Sequence, residues 1–152
     1  MSLESPVLDA TDHLLLQMLE RDAHLTHARL AEPLHLSPSA VSRRVQRLEA
    51  AGAILGYGAR INPQVSGKTT LAFIEIRLAS QREAVLEEFE RAVQACPAVC
   101  ECHLMTGEAD YLLRVAVADT ADYERVYRKH IAALPHVVSI KSAFAMRSLK
   151  MP

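Results

Sequence analysis

The chain contains no tryptophan, only three phenylalanines and four tyrosines in 152 residues. So few aromatics argue against base stacking on single-stranded nucleic acid as its main work. Three cysteines, an odd number, do not make a disulfide framework and fit a reducing compartment, the cytoplasm. No apolar run approaches the roughly 18 residues that cross a bilayer. The first six residues lack the basic-then-apolar layout of a secretory leader. Charge of one sign is also missing. Seventeen basic residues against eighteen acidic ones leave a net charge of −1, which excludes a uniformly basic coat but not a local basic patch. Half the residues are hydrophobic and 23% are charged, a globular composition of one domain or two small ones.

The first third reads as short helices. Asp9 is placed to cap a helix running to about Arg21, with Leu8, Leu15, Met18 and Leu19 near one face. Thr26 caps a second helix through Ala28, Leu30, Ala31 and Leu34, which Pro33 should truncate or kink near Glu32. Ser37-Pro38 is a strong helix start, and Gly52 ends the third helix near Ala51. Residues 53–63 alternate like a strand interrupted by glycines, a connecting strand and hinge that closes at Gly67-Lys68.

From Thr69 the texture changes. Residues 71–78 alternate, with Ala72, Ile74, Ile76 and Leu78 on one face and Glu75 and Arg77 on the other. A helix over 83–95 carries the stripe Val85, Leu86, Phe89 and Val93. Strands follow at 99–106 and 111–118, then a helix over 120–134 and a last strand over 137–146. The order β-α-β-β-α-β is the split, ferredoxin-like arrangement, with both helices on one face of an antiparallel sheet. The bare face needs a cover, and a second copy of the chain is the simplest one. The fold class expected is therefore α+β, with a helical domain over 1–60, a hinge over 61–68 and a ferredoxin-like domain over 69–152.

The third helix carries the clearest chemistry. At 100° per residue Val41, Val45 and Leu48 share the inner side. Ser39, Ser42, Arg43, Gln46 and Arg47 lie opposite, with Arg44 on the flank. Two helices, a tight turn and a third, basic helix match the helix-turn-helix layout, whose last helix enters the major groove. Arginine suits guanine and phosphate, glutamine suits adenine, and serine, including Ser37, suits phosphate or base. Arg44 and Arg60 are expected on phosphates.

Other clusters say less. Cys100-Glu101-Cys102-His103 suggests metal, but strand alternation sends both cysteines to one face and His103 to the other, so they cannot share one ion. Buried small cysteines are the simpler reading, with a thiol or metal sensor as the alternative. His24 and His27 bracket a helix start with no carboxylate or thiol to complete a ligand set. No metal or other cofactor is expected. Residues 105–111 join two strands through Gly107 and Asp110. Chemistry alone favours a plain hairpin over a ligand loop. No phosphate-cradling loop, nucleophile signature or carboxylate pair stands out, so nothing points to an enzyme.

The pattern Asp9-x-x-Asp12, then 36–45 (Leu-Ser-Pro-Ser-Ala-Val-Ser-Arg-Arg-Val), Arg47-Leu48-Glu49 and Gly52-x-Ile54-x-Gly56-Tyr57 resembles the leucine-responsive/asparagine-synthesis (Lrp/AsnC) regulators. So do Asn62-Pro63 with Gly67, the stretch 101–113, and Leu134-Pro135-x-Val137. The likeness covers essentially the whole chain, apart from Pro33, where the family usually carries a helix-tolerant residue. It implies a winged helix-turn-helix that binds double-stranded promoter DNA. It also implies a ferredoxin-like regulatory domain that dimerises through its sheet, with dimers assembling into octamers. An effector, usually an amino acid, binds between regulatory domains. The likeness places Met105, Thr106, Gly107, Asp110 and Tyr111 in that pocket, with Ala143 and Phe144 in the same region. It thereby reverses the plain-hairpin reading. A stand-alone ligand module and a cysteine-based sensor remain as alternatives to a DNA-binding regulator.

Overall fold

The computed structural model describes residues 7–149. The stretch 1–6, read above for a leader, lies outside them. The chain divides into two compact units, Met1–Arg60 and Ile61–Pro152.

The first unit holds α1 (Ala10–Arg21), α2 (His27–Leu34) and α3 (Pro38–Ala50). Asp9 caps α1 in a full capping box: its carboxylate accepts from the Asp12 N–H at 2.7 Å, and the Asp12 carboxylate accepts from the Asp9 N–H at 3.1 Å. Thr26 and Ser37 cap α2 and α3 through the N–H groups of Arg29 and Ala40. Pro33 does not truncate α2, which continues through Leu34. The proline sits in the last turn, where it deletes a single helical hydrogen bond. His35 then adopts φ +53°, and Leu36 and His35 donate back to Ala31 and Glu32, closing the helix as a Schellman turn. Gly52, at φ +70°, closes α3 the same way, with Ala53 and Gly52 donating to Leu48 and Glu49. Leu15, Leu30, Leu34, Val41, Val45 and Leu48 are the core, and Leu8, Met18 and Leu19 pack around it.

Residues 53–62 are the first departure. They form no strand, because the alternating segment meets no partner strand among the described residues and so has nowhere to place its backbone hydrogen bonds. Tyr57 tacks the segment to α3 by donating to Glu49 at 2.9 Å. A short helix, α4 (Pro63–Ser66), was not foreseen. Asn62 caps it at the hinge.

The second unit contains β1 (Thr70–Leu78), α5 (Glu83–Gln94), β2 (Val99–Leu104), β3 (Tyr111–Val117), α6 (Thr120–Val126) and β4 (Val137–Phe144). All pairs are antiparallel, in the order β2-β3-β1-β4. This is the arrangement expected of β-α-β-β-α-β. β2 and β4 each stop two residues before their expected ends. The second helix is not α-helical to residue 134: Tyr127–Ile131 is a π turn in which the Ala132 N–H reaches the Tyr127 carbonyl. Ile74, Ile76, Leu113, Val115, Phe89 and Ile131 form the core between sheet and helices. Phe73, Glu75 and Arg77 stand on the opposite, bare face, where Phe73 is 37% exposed.

A bulge in β2 changes the cysteine geometry. Val99 pairs with Val115, but Glu101 pairs with Arg114, so Cys100 is an extra residue. Cys102, opposite Leu113, lies on the helix side near Glu90, and Cys100 lies near Arg114. The two cysteines therefore do not share a face, against the simple alternation rule. Desolvation against the helix layer, reinforced by the Glu90 carboxylate, pushes the Cys102 thiol up to about 11 although the residue keeps an exposed edge. The shift lowers its thiolate fraction below that of an ordinary cysteine.

Candidate functional site

Two sites emerge, one in each unit. The first is the exposed side of α3. Ser37 and Pro38 launch the helix, Val41, Val45 and Leu48 bury its inner side, and Ser39, Arg43, Gln46 and Arg47 are left outside with Ser42 half-buried. Leu36, Ala40, Arg43, Arg44 and Arg47 border an open hollow of ≈ 390 Å³. Ser37 and Ser39, at the start of the helix, share a hydroxyl hydrogen bond of 3.0 Å.

The three arginines are not equivalent. Arg44 donates to Asp9 and to Asp12, each at 2.7 Å, and Arg47 donates to the other oxygen of Asp12. The Asp12 side chain is only 1% exposed, against 27% for Arg44 and 55% for Arg47. Burial by itself would raise the Asp12 carboxyl. The Asp9 N–H and the two guanidinium groups outweigh it, and the group lies below its ordinary value. Arg44 in turn is raised, chiefly by its hydrogen bonds to Asp9 and Asp12. Arg44 was expected to reach outward to phosphate. Instead it leans back on α1, and Arg47 is anchored at one edge while the rest stays open. Arg43 has no carboxylate partner among the described residues. Sequence reasoning missed Asp12 as the anchor. Its signal was available as spacing: Asp9-x-x-Asp12 on one helix faces Arg44-x-x-Arg47 on another.

The second site lies at the end of the sheet where β1 leaves and β3 begins. The antiparallel register sets Ile76 opposite Tyr111 and so brings residues 77–81 against the 105–110 hairpin. Asp110 ties them together. Its carboxylate accepts from the Leu78 N–H at 2.7 Å and from the Gln81 amide at 2.9 Å, and its own N–H donates to Ile76. Met105 donates to the Asp110 carbonyl at 2.8 Å, closing the hairpin, and Gly107 turns at φ +117°. Beside it opens a cleft of ≈ 550 Å³ lined by Arg77, Leu78, Ala79, Ser80, Gln81, Gly107, Glu108 and Asp110.

Of the residues expected there, Gly107 and Asp110 line the cleft. Met105 and Thr106 sit in the adjoining hairpin outside its wall. Tyr111 is placed elsewhere. It is buried in the core, 4.6 Å from the Phe89 ring, with its hydroxyl donating to Glu90 at 2.7 Å. Burial and that hydrogen bond push its phenol up. Position 111 is in phase with the apolar side of β3, which decides its direction. Phe144 also turns to the helix side and meets Tyr123 edge-on at 4.9 Å, whereas Ala143, paired with Phe73, belongs to the bare face. Arg77, Ser80, Gln81 and Glu108 were not foreseen in the lining. Only the register of β1 against β3 brings Arg77, Ser80 and Gln81 there, whereas Glu108 belongs to the hairpin itself.

Comparison with known proteins agrees with both halves. Residues 8–54 match the winged helix-turn-helix DNA-binding family, and residues 71–152 match the Lrp/AsnC ligand binding domain. The leucine-responsive regulatory protein of Haemophilus influenzae is 37% identical over 94% of this chain and 86% of its own length. The proline dehydrogenase transcriptional activator of Rhodobacter capsulatus is 36% identical over 94% and 93%. Among solved structures, an AsnC family transcriptional regulator from Agrobacterium tumefaciens superimposes with a TM-score of 0.86 at 35% identity, covering 95% of this chain and 94% of that one. A transcriptional regulator from Neisseria meningitidis, in complex with L-Met, gives 0.85 at 31% identity with the same coverage. A helix-turn-helix unit followed by a ligand-binding unit, matched over nearly the whole chain by known regulators, settles the affiliation: the chain belongs to the Lrp/AsnC family of transcriptional regulators.

Proposed function

We infer that the chain is a cytoplasmic, non-enzymatic regulator that reads promoter DNA with α3 and answers to an amino acid bound at the hairpin cleft. The observation that carries the DNA reading is Arg43. It projects from the exposed side of α3 with no carboxylate partner among the described residues, while Arg44 and Arg47 are steadied by Asp12. Arg43, Gln46, Ser39 and Ser42 take base edges. Arg47, through its open edge, and Ser37 and Arg60 take backbone phosphates, while Arg44 braces α3 against α1. Helix N-terminal residues at the groove and flanking phosphate contacts are the division of labour such domains use. Each neutralised phosphate steepens the dependence of affinity on salt by about 0.9 in the log–log slope.

The L-Met complex of the Neisseria regulator supports an amino acid as the effector class. Met105, Thr106, Gly107 and Asp110 shape the receiving hairpin, with Tyr111 behind it in the core; Ala143 and Phe144, opposite Phe73 and Ala72, lie four or more residues along β1 from the cleft wall. The bare sheet face, with Phe73 at its centre, supports pairing of two copies, and dimers assemble further to an octamer. Multivalency raises apparent affinity without new contacts. An effector acts by favouring one assembly or DNA-bound state over another. Within this reading residues 1–60 bind DNA, 61–68 are the hinge and 69–152 hold effector and partner.

The test is capture of sheared genomic DNA by the full chain, followed by sequencing, with wild type beside Arg43→Ala. Enrichment of a few promoter regions by wild type alone supports the reading. Equal enrichment by both proteins refutes the role of Arg43. No enrichment by either, with and without pooled amino acids, refutes DNA reading and favours a stand-alone ligand module.

A further inference from the structure

We propose that the hairpin cleft selects an amino acid with an acidic side chain, and that Arg77 is the residue that selects it. The proposal rests on the reading of this cleft as the effector site.

Arg77 stands on the bare face of β1 and lines both the ≈ 550 Å³ cleft and the shallow hollow beside it. Among the described residues no carboxylate lies within ion-pair distance of its guanidinium. Of the neighbouring acids, Asp110 and Glu108 are engaged with other groups. Asp110 accepts from Leu78 and Gln81 with its two oxygens. Glu75 lies opposite Lys141 in the strand register, and Glu108 approaches Lys141 at 3.9 Å. Arg77 is therefore the cation on this wall with its hydrogen-bonding capacity unspent, and a guanidinium fork matches a carboxylate in bidentate fashion.

The rest of the wall argues the same way by what it does not offer. An aliphatic side chain gains affinity by burying its surface against apolar neighbours. Leu78 is 7% exposed and belongs to the core. Ala79 is then the one apolar side chain in the lining, beside Ser80 and Gln81. The lining that one chain supplies offers a leucine- or methionine-sized group no apolar pocket. A side-chain carboxylate finds Arg77.

The experiment is isothermal titration of the full chain with L-aspartate, L-glutamate, L-asparagine, L-glutamine, L-leucine and L-methionine, in wild type, Arg77→Met and Arg77→Lys. One acidic amino acid should bind at least tenfold more tightly than its amide and than leucine or methionine. Arg77→Met should lower that acid's affinity tenfold or more, leave its amide within about twofold, and be partly rescued by Arg77→Lys. A neutral or apolar amino acid that binds most tightly overturns the selectivity, as does an acid preference that survives Arg77→Met. Either result leaves the effector reading standing. If no amino acid binds and a pool of all twenty leaves DNA capture unchanged, the effector reading falls and this proposal with it.

Discussion

Replacing Asp12 by asparagine keeps the volume of the buried side chain and removes its charge. In the native unit that carboxylate holds Arg44 at 2.7 Å, Arg47 and the Asp9 N–H at once. A hydrogen bond to a charged group contributes about 1.5–3 kcal/mol, and breaking a buried ion pair costs about 3–5 kcal/mol. The upper figure does not apply in full. Arg47 is more than half exposed and Arg44 about a quarter, so water recovers part of both contacts. The expected loss is therefore about 2–4 kcal/mol. In a unit this small each kcal/mol moves Tm by roughly 4–8 °C, so the N-terminal transition should fall by roughly 8 °C or more. Differential scanning calorimetry of the full chain at pH 7 reads it, and the β1–β4 unit serves as the internal reference. The sign with pH follows from the depressed carboxyl. Its contribution is complete above the ordinary value of 3.8 and is lost as pH falls through the lowered one, so wild type and Asp12→Asn should converge in acid. A shift smaller than about 2 °C at pH 7, or a difference that persists unchanged in acid, would refute the assignment of Asp12 as the anchor of α3.

Three further outcomes follow from the same geometry. Arg43→Ala should weaken DNA binding and, where Arg43 also meets a phosphate, flatten the salt slope by about one unit; unchanged affinity in a titration from low to high salt counts against it. Phe73→Arg places a charge at the centre of the bare sheet face and should shift the particle to monomer by sedimentation velocity, whereas an unaltered mass would show that another surface pairs the chains. Gly52→Val forces a β-branched residue to φ +70° with open space around its Cβ, so only backbone strain is at issue. The N-terminal unit should lose about 1–2 kcal/mol, and Gly52→Asn should restore most of it; equal Tm values for the two variants would contradict this account.

Much of this was legible along the chain. Asp9, Thr26 and Ser37 each cap the helix expected of them, because a cap is a bond between residues three apart. The alternation of Ala72, Ile74, Ile76 and Leu78 gave the buried side of β1 for the same local reason. The inner side of α3, and with it the outer side that carries Arg43, follows from the 3.6-residue period. What could not be read is set by partners far apart in sequence. Whether residues 53–62 form a strand depends on a neighbour to pair with, not on their own alternation. The bulge at Cys100 is a mismatch between two strands, and no single strand announces it. Tyr111 was assigned to the pocket by its place in a motif and sent to the core by its phase on β3. The sequence by itself determined most of the elements, their inner faces and the basic outer side of α3, since these rest on periodicity and capping within a few residues. Only the tertiary structure decided which arginines are tied to Asp12 and that Arg77 stands free beside the hairpin. Ion pairs across some 30 residues of chain and the register of β1 against β3 exist only once the elements have packed.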